Sequence, residues 1–70
     1  MAIYLVSYKA KRLTSYGKYH YFDGTTIVEH RAPTNEKEGI ELHDAFYKAV
    51  KDLISYKDVQ IHILSASKLD

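Results

Sequence analysis

The opening stretch constrains the fold more than any other. Ala2 to Lys11 contains Ile3, Tyr4, Leu5, Val6 and Tyr8, with polar residues only toward its end. Such β-branched, aromatic and aliphatic runs form strands. Side chains alternate across a strand, so Ile3 and Leu5 fall on one face and Tyr4, Val6 and Tyr8 on the other. A strand apolar on both faces belongs in the middle of a sheet, covered on both sides. Alternation leaves open which of the two faces meets a helix.

The rest of the chain supplies partners for that strand. Leu13 to Gly17 reads as a turn, and Lys18 to His30, rich in Tyr, Phe, Thr, Ile and Val, as a second extended stretch. Asp23-Gly24 interrupts it. Asp-Gly between apolar runs is a hairpin signal, which would divide the stretch in two. The alternative is one long strand with a bulge at Gly24. The second reading is preferred, because Tyr19 to Phe22 is short for a strand and a single long hairpin matches the first strand in length.

Pro33 forbids a continued ladder, and a helix is expected from Thr34 or Asn35. Asn35 followed three residues later by Glu38 resembles a capping box. Glu36, Glu38 and Glu41 precede Lys48 and Lys51, the order that the helix macrodipole favours. Leu42, Phe46, Ala49, Val50 and Leu53 recur at helical spacing as one apolar stripe, and the helix should end near Ser55 or Tyr56. Val59 to Ser65 then alternates as a half-buried strand, and Ser67 to Asp70 reads as a fraying polar tail.

The expected architecture is a single α+β domain over residues 1–70 with the order ββαβ. A right-handed crossover through the helix carries the third strand past the second to the first. The sheet is then three-stranded and antiparallel in the order 2-1-3. One amphipathic helix covers one face only. The other face should show several of Tyr4, Tyr8, Tyr19, Tyr21, His62 and Leu64, and an exposed apolar patch of that kind marks an interaction site.

Composition narrows the function. Seventy residues bury only roughly 60% of their unfolded surface, and scaffolds this small usually need disulfides, a metal or self-association. The chain has 0 cysteines, which removes disulfides and thiolate metal sites and fits a reducing compartment. Strand-like alternation starts at Ala2 and the apolar runs are short, so neither a secretory leader nor a membrane span is expected. A cytoplasmic protein is the default. The net charge of +1 argues against a strongly basic nucleic-acid binder. It is unevenly spread: residues 1–34 carry an excess of positive charge and residues 35–70 an excess of negative.

Chemistry-bearing patterns are sparse. His20, His30, His43 and His62 match no metal-ligand spacing. No motif marks a serine as an activated nucleophile. Most acids lie along the helix, and Gly17, Gly24 and Gly39 are too scattered to cradle a phosphate. No catalytic residue, cofactor site or metal site is assigned, and the chain is read as a non-enzyme. The feature beyond fold-making is the tyrosine cluster: Tyr4, Tyr8, Tyr16, Tyr19 and Tyr21 are interleaved with Lys9, Lys11, Arg12 and Lys18. Tyrosine supplies large rigid contact area at low entropy cost. The expected interaction surface is Tyr4, Tyr8, Lys11, Arg12, Tyr19, Tyr21 and His62.

Two resemblances bear on this reading. Met-Ala-Ile-Tyr-Leu-Val-Ser-Tyr at the front is similar to the first strand of a family of small CRISPR-associated ferredoxin-like proteins. That family places an aspartate where this chain has Lys9, so the likeness is that of a generic strand. Over nearly its whole length the chain resembles short phage and prophage ββαβ proteins. The pattern comprises the Tyr-Leu-Val-Ser-Tyr strand, Asp23-Gly24-Thr25-Thr26-Ile27-Val28, the Pro33 connector, one amphipathic helix and a final Val59-Gln60-Ile61-His62-Ile63-Leu64 strand. This resemblance implies no known activity and transfers no site residues; by analogy, small proteins of this kind often act by binding and redirecting a host protein. The leading expectation is therefore a protein-interaction module, acting through the tyrosine face or as a homodimer. Single-stranded nucleic-acid binding by the Tyr/Lys/Arg-rich hairpin ranks second.

Overall fold

The structure, a computed structural model, describes residues 1–54 and 58–69. Strand β1 spans Ala2–Leu13, β2 Tyr19–His30 and β3 Val59–Lys68, with helix α1 at Glu36–Leu53 between β2 and β3. The sheet order is β2-β1-β3, and β1 is antiparallel to both neighbours. The ββαβ fold expected from the sequence is the observed one. Its shape is elongated, 45 × 22 × 17 Å, in keeping with the 12-residue strands β1 and β2, each about 40 Å long at ~3.3 Å per residue.

The hairpin closes over Thr14–Lys18. The Thr14 amide donates to the Lys18 carbonyl at 2.7 Å, and the Gly17 amide to the Thr14 carbonyl at 3.1 Å. Gly17 has φ +77°, a conformation that costs glycine little.

β2 is one long strand, as preferred, but it has no bulge against β1. The register runs unbroken from Ala2↔His30 to Leu13↔Tyr19, with Tyr8 opposite Gly24. Gly24 has a steric role instead. A Cβ built there would stand 2.7 Å from the Tyr8 hydroxyl oxygen and 3.0 Å from its Cζ. The Tyr8 ring thus lies across the glycine, which is the close approach that a glycine inside a strand permits. The bulge falls on the other side of β1, where Ser7 pairs with Ser65 and Tyr8 with Ile63, leaving Leu64 as the extra residue. Absorbing that residue lets β3 continue to Lys68, and the Leu69 amide donates to the Ile3 carbonyl at 2.8 Å. The expected fraying tail is therefore paired as far as Leu69; Asp70 lies outside the described residues.

Helix α1 starts as its cap dictates. The extended Asn35 (φ −154°, ψ 176°) accepts a hydrogen bond from the Glu38 amide at 2.9 Å. Glu38 reaches back one residue further than in the reciprocal box, accepting from the Thr34 hydroxyl at 2.9 Å and the Thr34 amide at 3.2 Å. These donors, hydroxyl first, hold the Glu38 carboxyl below its ordinary value. The helix ends at Leu53, with Ile54 donating to the Val50 carbonyl at 3.0 Å. The expected end at Ser55 or Tyr56 falls outside the described residues.

The core is a single layer between α1 and the sheet. The helix contributes Leu42, Phe46 and Val50, the sheet Ala2, Tyr4, Val6, Tyr8, Ala10, Val28 and Val59, and the helix end Ile54. Val6 and Val50 are fully enclosed. Phe46 meets Tyr4 edge to face, with ring centroids 5.2 Å apart. Such pairs add about 0.5–1.5 kcal/mol beyond area burial. The stripe departs from expectation at Leu53, which is exposed, while Ile54 takes the buried place.

Candidate functional site: the uncovered sheet face

The fold divides the expected surface in two. Directly opposed residues of an antiparallel pair share a face. The even-numbered residues of β1 (Ala2, Tyr4, Val6, Tyr8 and Ala10) turn toward α1 and are buried. Tyr4 and Tyr8 are therefore core residues, only 6% and 7% exposed, and the expectation that they form a contact surface is corrected. Arg12 lies in the same alternation class, half-buried on the helix side between His20 and Val59. Lys11, Tyr19, Tyr21 and His62 do occupy the uncovered face. The sequence held a signal for this split. The even class of β1 reaches its first charge at Arg12, whereas the odd class carries Ser7, Lys9 and Lys11.

The uncovered face is ordered in rows across β2, β1 and β3. At the hairpin end, Tyr21, Lys11 and Gln60 form one row, and Asp23, Lys9 and His62 the next. Thr25, Ser7 and Ser65 make a neutral row in the middle. Beyond it come Ile27, Leu5 and Ser67, then Glu29 and Ile3, with Leu69 hydrogen-bonded beside Ile3. The face thus has an aromatic, basic end and an apolar end. Sequence reasoning missed the apolar end, because Ile3 and Leu5 gain significance only once the helix is known to cover the other side. Ile27 is 57% exposed.

The aromatic end is partly organised. Tyr19 and Tyr21 stand 6.3 Å apart at a tilt of 48°. The Lys11 ammonium lies 4.6 Å from the centre of the Tyr19 ring. At an exposed site this cation–π contact contributes about 0.5–1 kcal/mol. Lys9, Lys11, Tyr21, Gln60 and His62 line an open depression of about 330 Å³. Ammonium, amide, phenol and imidazole groups converge there, a set suited to hydrogen-bonding anionic or polar groups above an aromatic ring.

Among the described residues no three His, Asp or Glu side chains converge as a metal site. Nor, among these residues, is any helix long and apolar enough to cross a membrane. No protein-family model, curated protein or solved structure matches the chain.

Proposed function

We propose that the chain is a non-enzymatic protein-interaction module that binds a partner protein through its uncovered sheet face. In the setting implied by the phage and prophage resemblance, it acts in the cytoplasm as a small modulator of a host protein. The observation that carries this reading is the apolar end of the face. Ile3, Leu5, Ile27 and Leu69 adjoin one another on a surface that no element of the described chain covers. Grouped exposed apolar residues bordered by a charge at Glu29 have the make-up of a protein contact. Ile27→Glu should abolish capture of the partner from host extract, while Ile40→Glu on the exposed side of α1 should leave capture intact. Equal capture by both variants would refute the reading.

The depression at the other end favours a second reading, single-stranded nucleic-acid binding. Tyr19 and Tyr21 would stack bases, with Lys9 and Lys11 at the phosphates. Two lysines imply a slope of roughly −1.4 for log affinity against log salt on a single strand. Lys9→Glu with Lys11→Glu should abolish such binding and affect the protein contact far less. Oligonucleotide titration at two salt concentrations separates the two readings.

A further inference from the structure

The two outer edges of the sheet are not alike. β3 carries a bulge at Leu64 and ends in Lys68, two devices that discourage a further strand. β2 has neither. Its residues Tyr19–His30 pair without a break along β1 and contain no proline, lysine or arginine. Tyr, Phe, Thr, Ile and Val dominate the run, and its outer amides and carbonyls form a straight ladder template. Its charges are the carboxylates of Asp23 and Glu29, and an edge of this length with no bulge, proline or lysine is a site for strand addition. A domain this small with 0 cysteines is also of the size at which self-association commonly completes the structure.

We propose that a second copy of this chain occupies that edge. Two β2 strands pair antiparallel about a two-fold axis at Thr25, forming one continuous six-stranded sheet. The choice of register rests on keeping like charges apart and on apolar matching on the helix side. An axis at Thr26 would set Asp23 against Glu29, and like charges directly opposed are destabilising. An axis at Gly24 would place glycine against glycine and Phe22 against Thr26. With the axis at Thr25, Phe22 meets Val28 on the helix side, and on the other face Tyr21 meets Glu29, Asp23 meets Ile27 and Thr25 meets its own copy, with no like charges opposed. The contact is isologous and closes at two chains. It also leaves the uncovered faces of both copies free and side by side, doubling the surface available to a partner.

The absence of cysteine makes the register directly testable. Opposed Cα atoms in an antiparallel pair lie about 4.5–5.5 Å apart, within the span of a disulfide. On mild oxidation Thr25→Cys should give a covalent dimer, whereas Ser65→Cys on β3 should not. Thr25 also lies on the uncovered face, so a second pair of variants excludes face-to-face stacking. His20→Cys chains mixed with His30→Cys chains should cross-link, and neither should do so alone, because both positions lie on the helix side. Sedimentation of the unmodified chain should give twice the 8.1 kDa of one chain, falling on dilution. A single-chain mass at every concentration overturns the proposal. So does cross-linking through Ser65→Cys, or Thr25→Cys linkage with no reaction between the His20→Cys and His30→Cys chains. In this register Ile27 lies opposite Asp23 of the second copy, so Leu69→Glu, at the β3 end of the face and away from the β2 edge, tests the face reading separately: loss of partner capture with Thr25→Cys cross-linking retained concerns the face alone.

Discussion

The two faces of β1 both begin apolar and have opposite fates. Ala2, Tyr4, Val6, Tyr8 and Ala10 are enclosed under α1, while Ile3, Leu5, Lys9 and Lys11 lie on the uncovered side. Tyrosine content does not distinguish the faces, since Tyr4 and Tyr8 are buried and Tyr19 and Tyr21 exposed. The difference lies in what surrounds each tyrosine. Tyr4 has the Phe46 ring against it, and Tyr8 has the space left by Gly24. Tyr19 and Tyr21 have each other and a lysine. An aromatic cluster read along the chain is therefore two populations, one holding the fold together and one available for contact.

The largest expected effect tests the covered face. Phe46→Ala removes the ring packed on Tyr4 and should cost about 3–5 kcal/mol, measured by urea denaturation. On the uncovered face, Tyr21→Ala should stay within about 0.5 kcal/mol, as surface substitutions usually do. If the two losses were equal, the contrast between the faces would fail.

Gly24→Ala comes next and sharpens the contrast, because it acts on the buried side of an edge strand. The added methyl meets the Tyr8 hydroxyl, and overpacking of this kind costs about 1–3 kcal/mol. Introduced together with Tyr8→Phe, it should cost less, since the atom at 2.7 Å is gone. A double-mutant cycle showing simple additivity would mean that the ring does not occupy the glycine's space.

Helix capping gives a smaller effect. Asn35→Ala should lose about 0.5–2 kcal/mol, the usual range for an N-cap. The smallest effect is the pH dependence through Glu38. Its folded-state carboxyl is held below the ordinary value by Thr34, so its contribution is present above the unfolded carboxylate range. That contribution fades as pH falls through the folded value. Thermal melts of the chain and of Thr34→Ala should therefore differ slightly at neutral pH and converge in acid. A difference that grows on acidification would contradict the capping geometry.

Much of this fold was legible along the chain because its signals are local. Asn35 and Glu38 mark the helix start by spacing alone. Leu42, Phe46 and Val50 mark its buried face by their period. Doubly apolar β1 points to a central strand, and strand order follows from chain connectivity. The errors arose where two strands meet. The bulge expected at Gly24 lies at Leu64, because the extra residue is absorbed between β1 and β3. Gly24 instead admits a side chain from its neighbour. The end of β3 was placed early because Ser67 and Lys68 look like tail residues, and only the partner strand draws them into the ladder.

The site divides in the same way. Of the residues expected on one surface, Lys11, Tyr19, Tyr21 and His62 lie on the uncovered face, while Tyr4, Tyr8 and Arg12 lie on the other side. By itself the sequence determined which residues of each strand must share a face, since the period of two is a property of the extended backbone. It also determined where the helix begins and that β1 lies between two neighbours. Only the tertiary structure decided which face of β1 the helix covers and that Ile3, Leu5, Ile27 and Leu69 adjoin one another. The physical reason is that burial belongs to the packed pair of layers: a strand with two apolar faces can satisfy either, and the helix, able to cover one, makes the choice for all three strands at once.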